Sequence, residues 1–168
     1  MIDLKAHIAA VPDFPRPGIL FRDMMPLLKS HFEPTITAMD ALLTNAEWEN
    51  VDAIVGIESR GFILGAPMAL RRNKGFIPVR KQGKLPPPVS ALAYELEYGS
   101  AILEMQPGKG RVIVVDDVMA TGGTMTAAAE LCRRSGFTVL ALLALIDLKL
   151  VPPLRWNDLA LRAAISYG

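Results

Sequence analysis

The pattern of hydrophobic positions changes its period several times along this chain of 168 residues. Hydrophobic residues dominate residues 51–57, 75–79, 112–115 and 137–146 without the regular polar alternation of a half-exposed strand. Continuous runs of this kind are typical of strands that are buried on both faces. The pattern therefore predicts strands at residues 51–57, 75–81, 112–115 and 137–146.

Residues with helical spacing separate these strands. Residues 63–72 and the segment after Gly123 each read as a helix, and Gly136 marks the end of the second one. The alternation predicts an α/β fold with a mostly parallel sheet and helices on both faces. Ligands of such sheets bind beyond the carboxyl ends of the strands. We therefore expect a site where three loops converge, namely Glu58–Gly61, Arg80–Lys84 and Asp116–Thr124.

The two ends of the chain give weaker patterns. Hydrophobic residues at helical spacing predict an amphipathic first helix over residues 4–11, ended by Pro12. Prolines and a glycine predict a rigid irregular loop up to Gly18. Pro34 suits the first turn of a further helix, whose face would be formed by Ile36, Met39, Leu43 and Ala46. A last strand is predicted around residues 159–167.

The segment between residues 84 and 110 has a different character. Hydrophobic and polar residues alternate over residues 92–98, and Gly99-Ser100 is a turn signal. This pattern predicts an exposed antiparallel arm that is inserted between two units of the parallel sheet.

Composition narrows the functional classes. A chain of this length with 51% hydrophobic residues is expected to form a single domain, residues 1–168. The 18 Lys and Arg residues nearly balance the 17 Asp and Glu residues, which disfavours general attraction to nucleic acid or to an anionic membrane. The single cysteine, Cys132, excludes an internal disulfide and is expected in the core. No apolar run is long enough for a bilayer, so we expect a cytoplasmic protein.

The stretch "DDVMATGGT", residues 116–124, carries the most specific chemistry. A loop that opens a helix offers free backbone N–H groups and the positive end of the helix dipole. Gly122 and Gly123 permit close approach, while the hydroxyls of Thr121 and Thr124 add donors. Ala120–Thr124 therefore predicts a cradle for one monophosphate. The loop has no lysine at the spacing of an ATP-binding loop.

Asp116 and Asp117 precede this cradle by about the width of one sugar. Carboxylates at that distance can accept hydrogen bonds from vicinal hydroxyls, so the stretch predicts a ribose 5-phosphate site. Taken alone, the acid pair would more simply cap a turn. Strand, acid pair, glycine-threonine loop and helix together favour the ligand site.

The stretch "VVDDVMATGGT", residues 114–124, resembles the phosphoribosyl-diphosphate (PRPP) binding motif of the type I phosphoribosyltransferases. That resemblance implies a parallel sheet with helices on both faces, an N-terminal hood at about residues 1–30, and a flexible antiparallel arm at about residues 84–110.

Four further stretches resemble the adenine phosphoribosyltransferases among them: "PDFPRPGILFRD" (12–23), "ESRGFILGAPMAL" (58–70), "VRKQGKLP" (79–86) and "LEYG" (96–99). The resemblance implies transfer of phosphoribose from PRPP to adenine, with AMP and pyrophosphate as products. It also implies Mg²⁺ that is carried with PRPP, without dedicated metal ligands, and a homodimer in which Arg80 acts across the interface.

The resemblance assigns roles to individual residues. Arg60, Lys84 and Glu97 are expected to be catalytic, with Glu97 exchanging a proton with the purine and Tyr98 in the closing arm. The "ESRG" loop is expected to contain a strained or cis Glu58-Ser59 peptide bond. Adenine is expected to contact Ile19, Leu20, Phe21 and Arg22. Pyrophosphate is expected to contact Glu58, Ser59, Arg60, Arg80, Lys81 and Lys84.

Two other functions remain open at this point. A phosphoribosyltransferase for hypoxanthine or another base would share these motifs, and so would a regulator that only senses PRPP or a nucleotide. "IESRG" also resembles a nucleophile elbow, but both histidines, His7 and His31, precede Ser59, which argues against a hydrolase.

Overall fold

A computed structural model describes residues 2–96 and 99–168 of the protein. It contains a short 3-10 helix at Leu4–His7. The α-helices are α1 Met25–Asp40, α2 Asn45–Glu49, α3 Arg60–Arg72 and α4 Gly123–Arg134. The strands are β1 Ala9–Pro12, β2 Leu20–Asp23, β3 Ala53–Ile57, β4 Gly75–Lys81, β5 Ser90–Glu95, β6 Ser100–Met105, β7 Gly110–Met119, β8 Phe137–Asp147, β9 Arg155–Trp156 and β10 Leu159–Ser166.

The main sheet has the strand order β5-β6-β4-β3-β7-β8-β10-β9. Strands β4, β3, β7, β8 and β10 pair in parallel, and β5, β6 and β9 add antiparallel edges. α3 connects β3 to β4, and α4 connects β7 to β8, as expected for crossovers between parallel strands. The predicted α/β class and its mostly parallel sheet are confirmed.

Helices cover both faces of the sheet, because successive side chains of a strand point to opposite sides. α1 and α3 pack on one face, where Met39, Leu64 and Met68 belong to the same hydrophobic cluster as Ile54 and Ile113. α4 packs on the other face, where its Met125, Ala128, Leu131 and Cys132 join Val55, Val114 and Leu142. Cys132 is buried, and burial raises the pKa of its thiol to about 12.

The N-terminal segment differs from its predicted helix. Only Leu4–His7 is helical, and β1 pairs with β2 in an antiparallel hairpin, with Ala9 opposite Asp23 and Pro12 opposite Leu20. Residues 9–12 are extended because their backbone bonds a strand that lies beyond an irregular loop, a partner that local spacing cannot reveal.

The prediction that Pro34 lies in the first turn of a helix is confirmed, although α1 already begins at Met25 and continues across a kink. The helix is kinked at His31, whose φ of −138° and ψ of 44° are not helical, and Pro34 lies in the first turn after the kink. The kink places the proline where its missing N–H costs little. Leu43 and Ala46, predicted on the same helix, lie beyond its end at Asp40.

The predicted exposed arm is partly wrong. β5 and β6 form an antiparallel hairpin, but β6 also pairs with β4, with Arg80 opposite Glu104. The hairpin therefore extends the main sheet, and Leu92 and Tyr94 pack against the cluster beneath α4. β10 confirms the predicted terminal strand, and β9 was not predicted.

Among the described helices, none is long and apolar enough to cross a membrane.

Candidate active site

The phosphate-binding prediction falls on the turn between β7 and α4. Gly122 is the N-cap of α4 and has a φ of +90°, a conformation that favours glycine. A Cβ added to Gly122 would lie 2.8 Å from Cδ1 of Leu154, so the Leu154 side chain would have to shift to admit one. A small cavity of about 90 Å³ lies here, lined by Asp116 and residues 118–125. Its size and its helix N-terminus suit a single phosphate group.

Asp116 and Asp117 are neighbours inside β7, two residues before its end at Met119. Because β7 alternates, the two side chains face different spaces: Asp116 lines the small cavity, and Asp117 lines a second cavity of about 760 Å³. Ala120 and Thr121 line both. The acid pair therefore stands between a phosphate-sized space and a larger one.

The two carboxylates of the acid pair differ in the groups that hold them. Asp116 Oδ1 accepts the N–H of Asp117 at 2.9 Å. Burial, and then the negative charge of Asp117, raise the pKa of Asp116 well above its ordinary value. Oδ2 of the buried Asp117 lies 2.7 Å from Nε of Arg60, yet among the described residues it accepts no hydrogen bond. A buried acceptor without a donor is costly unless a ligand hydroxyl supplies one.

The "ESRG" loop brings α3 against β7. The Glu58-Ser59 peptide bond is cis, as predicted. A Cβ on Gly61 would lie 2.8 Å from the backbone oxygen of Val115 and 3.4 Å from Oδ1 of Asp116. Glycine at this position therefore lets the start of α3, and with it Arg60, approach the acid pair.

The predicted pyrophosphate cations gather around one buried carboxylate. Oε1 of Glu58 accepts hydrogen bonds from Nε and Nη2 of Arg80, at 2.9 and 2.7 Å, and from Nζ of Lys84 at 3.2 Å. Its Oε2 accepts the backbone N–H of Lys81 at 3.1 Å. Burial alone would raise the pKa of Glu58, but the Lys81 N–H and the two cations outweigh it and lower the pKa to about 2. The side chain of Glu58 therefore orients the basic loop, a role that the sequence did not indicate.

The hood segment forms one wall of the larger cavity. Ile19, Leu20, Phe21 and Arg22 all line it, together with Arg60 and Asp117. Ile19 and Leu20 are 39% and 49% exposed, which leaves an open apolar surface at the end of the sheet. The guanidinium carbon of Arg60 lies 5.6 Å from the ring centroid of Phe21, so Arg60 connects the hood to the acid pair.

The hairpin β5–β6 covers the phosphate loop from the opposite side. Oγ1 of Thr124 donates to the hydroxyl of Tyr94 at 3.4 Å. Leu92, Tyr94 and Glu95 share a third cavity of about 420 Å³ with residues 121–123. Glu97 and Tyr98, the predicted catalytic and arm residues, lie outside the described residues.

Sequence reasoning missed several residues of the larger cavity, among them Leu148 and Tyr167. Each of these two directly follows a parallel strand, β8 or β10, at the carboxyl edge of the sheet. The end of the predicted last strand was a usable signal, but only the strand order shows that β10 lies next to β8.

Together, the parallel sheet and the phosphate loop with its acid pair define a type I phosphoribosyltransferase fold. Residues 36–158 match the family described as "Phosphoribosyl transferase domain". The chain is 48% identical over 166 residues to the adenine phosphoribosyltransferase of Bdellovibrio bacteriovorus, which covers 99% of this chain and 100% of the relative. The chain belongs to the adenine phosphoribosyltransferase family.

Solved structures of adenine phosphoribosyltransferases have the same fold as this chain. The adenine phosphoribosyltransferase of Thermoanaerobacter pseudethanolicus superposes with a TM-score of 0.86 at 36% identity, covering 98% of each chain. The adenine phosphoribosyltransferase of Saccharomyces cerevisiae, complexed with D-2,5-dideoxy-2,5-imino-altritol 1,6-bisphosphate and adenine, also gives 0.86 at 36% identity and covers 96% of each chain.

Proposed function

We propose that this protein transfers the 5-phosphoribosyl group from PRPP to adenine, which yields AMP and pyrophosphate and serves purine salvage. The observation that carries this proposal is the position of Asp116 and Asp117 between a phosphate-sized cavity and a larger one walled by the hood. A ribose between these two carboxylates would direct its 5-phosphate into the first cavity and its reacting carbon toward the second. Family membership supports the same reaction.

The phosphate and ribose ends of the substrate have distinct partners. The backbone N–H groups of residues 120–124 and the hydroxyls of Thr121 and Thr124 hold the 5-phosphate. Oδ2 of Asp117, which pairs with Arg60 but accepts no hydrogen bond from the described residues, accepts a ribose hydroxyl. Asp116, at the edge of the phosphate-sized cavity, accepts a second ribose hydroxyl.

The base occupies the apolar surface formed by residues 19–21, with Arg22 and Arg60 at its edge. An aromatic base gains from burial against these side chains, and a few hydrogen bonds to its edge set the specificity. The yeast relative crystallised with adenine supports this base over hypoxanthine.

The reaction breaks the bond between C1′ of the ribose and the pyrophosphate oxygen, and the electron pair leaves with pyrophosphate. A ring nitrogen of adenine forms the new bond to C1′ and loses its proton, for which Glu97 is the proposed acceptor. Arg60, Arg80, Lys81 and Lys84 stabilise the charge that develops on the leaving group. Closure of the arm with Tyr98 excludes water from the reacting centre.

Magnesium enters with PRPP in this proposal, because Mg²⁺ prefers phosphate oxygens and water to a cage of protein ligands. When bound, the ion neutralises part of the pyrophosphate charge. We further propose a cytoplasmic homodimer that acts on these small molecules alone, without nucleic acid or membrane partners.

The homodimer proposal is supported by the outer face of α3. Leu70 is 85% exposed and Ile63 is 40% exposed, and their spacing of seven residues puts them on one side of the helix. Within the single chain Arg80 binds Glu58, and its action across the interface stays a proposal.

The test is incubation of the protein with PRPP, Mg²⁺ and, separately, adenine, hypoxanthine, guanine, xanthine, uracil or orotate, followed by detection of nucleotide. We expect AMP only. IMP or another nucleotide would contradict the base specificity, and PRPP binding without product would favour a sensor.

A matched pair of variants ties the reaction to the acid pair. Asp117→Asn removes the charge beside Arg60 and is expected to abolish most turnover. Asp52→Asn removes an exposed acid that pairs with Arg111 at the other end of the sheet, and it should leave turnover unchanged. Equal activity in both variants would contradict the assigned site.

A further inference from the structure

Tyr167, which directly follows β10, joins two parts of the hood to the end of the sheet. The guanidinium carbon of Arg22, on β2, lies 4.1 Å from the centroid of the Tyr167 ring. Nζ of Lys5, in the 3-10 helix, lies 4.3 Å from the same centroid and donates to the backbone oxygen of Ser166 at 2.8 Å. Cations at these distances from an aromatic ring are attracted to it.

Tyr167 is itself fixed by the sheet. Its N–H donates to the backbone oxygen of Asp147 at 2.9 Å, which continues the parallel pairing of β10 with β8. Leu148, the first residue after β8, donates its N–H to the backbone oxygen of Met119, the last residue of β7, at 3.1 Å. The backbone of Tyr167 is therefore fixed at an edge where the ends of β10, β8 and β7 lie side by side, and β7 carries the acid pair.

The hood, by contrast, has little sheet pairing of its own. β1 and β2 pair only with each other among the described strands, and a lone hairpin is marginally stable. The side chain of Arg22 has many rotamers, and fixing them costs conformational entropy. The Tyr167 ring at the rigid edge of the sheet holds the guanidinium in one place beforehand. Less of this entropy is then lost when a ligand binds.

We infer that Tyr167 is a positioning residue of the base site, which orients Arg22 along the wall of the cavity shared by Arg22, Tyr167, Leu148 and Asp117. The inference rests on the proposed function, since it takes this cavity as the adenine site. It assigns a specific role to a residue at the far end of the chain that no motif indicated.

The test compares Tyr167→Leu, which removes the ring, with Tyr167→Phe, which keeps the ring and removes only the hydroxyl. Tyr167→Leu is expected to raise the KM for adenine by about two- to thirtyfold, the range that corresponds to loss of a cation–π contact. The KM for PRPP should change less than about twofold, because residues 120–124 are untouched. Tyr167→Phe should behave as the wild type does.

A double-variant cycle with Arg22→Met decides whether Tyr167 acts through Arg22. If it does, Tyr167→Leu combined with Arg22→Met has the same adenine KM as Arg22→Met alone. If the two effects multiply, or if Tyr167→Leu raises both KM values equally, the inference is overturned.

Lys5→Met separates positioning of Arg22 from attachment of the 3-10 helix. It should lower the melting temperature slightly without reproducing the rise in adenine KM. Reproduction of the full rise would overturn the inference. If the wild type forms AMP and Tyr167→Leu keeps the wild-type KM for adenine, only this inference is refuted. If the wild type forms no AMP, the proposed function is refuted.

Discussion

At the scale of single residues, Gly122 meets two independent constraints. Its φ of +90° disfavours any side chain, and Leu154 occupies the space that a Cβ would need. Its neighbour Gly123 has neither constraint, because an added Cβ there would meet only the backbone oxygen of Glu95 at an ordinary 3.6 Å. The sequence pattern treats the two glycines alike, and only the coordinates separate them.

Gly122→Ala is therefore expected to distort the phosphate loop. The left-handed conformation alone costs an alanine about 1–2 kcal/mol, and the contact with Leu154 adds to it. We expect a KM for PRPP that rises by roughly tenfold or more, with a lower melting temperature. Gly123→Ala is the stability control and should keep the wild-type melting temperature; equal losses in both variants would contradict this account.

Glu58 makes the stability of the protein depend on pH. Its pKa is lowered from 4.5 to about 2 in the folded state, because the donors of Lys81, Arg80 and Lys84 outweigh its burial. The unfolded chain thus takes up this proton at a higher pH than the folded chain does. The stabilisation is complete above pH 4.5 and is lost as the pH falls toward about 2.

Glu58→Gln should lower the free energy of unfolding at neutral pH, and its deficit relative to the wild type should shrink as the pH falls below 4.5. Chemical denaturation at a series of pH values measures this. Asp52→Asn is the control. The Arg111 side chain also lowers the pKa of Asp52 to about 2, but this ion pair is exposed to solvent. The deficit of Asp52→Asn should be smaller throughout; a Glu58→Gln deficit independent of pH would refute the assignment.

At the scale of elements, the approach of α3 to β7 decides the shape of the site. Gly61 permits this approach, since a Cβ would lie 2.8 Å from the backbone oxygen of Val115. At Gly65, one turn further along α3, the nearest atoms to an added Cβ belong to the side chains of Phe76 at 3.1 Å and Ile54 at 3.4 Å, and the backbone of Gly56 lies at an ordinary 3.7 Å. The backbone cannot move aside as a side chain can.

Gly61→Ala is expected to push the start of α3 away from β7, with a loss of about 1–3 kcal/mol in the free energy of unfolding. Gly65→Ala is the matched control in the same helix, where the gain in helix propensity offsets the tighter packing. Denaturant titration of both variants tests this, and a Gly65→Ala loss as large as that of Gly61→Ala would speak against the backbone contact as the cause.

Periodicity predicted the buried central elements well. The predicted strands at residues 51–57, 75–81 and 137–146 agree with β3, β4 and β8 to within a few residues. These segments are surrounded on both faces, so their hydrophobic pattern is the dominant constraint on them. The helix predicted over residues 4–11 is wrong for β1, because pairing with a distant segment outweighs local spacing in a short, exposed stretch.

At the scale of the whole molecule, the exposed face of α3 is expected to be an interface between two copies. Leu70→Glu places a charge where the chain exposes 85% of a leucine and should convert the proposed dimer into a monomer, as measured by light scattering after gel filtration. Val89→Glu, another exposed apolar residue at 37%, is the control and should stay dimeric. A wild-type monomer would refute the proposal directly.

The fold class, the phosphate loop, the acid pair and the convergence of three loops could be predicted from the sequence, because buried strands and a helix N-terminus impose local patterns that one short stretch can carry. The contacts between individual side chains of these distant segments could not. Glu58 beneath the basic loop, Asp117 beside Arg60, and Tyr167 beside Arg22 are contacts between elements far apart along the chain. Strand order and helix approach set such contacts, and neither is written in any local spacing.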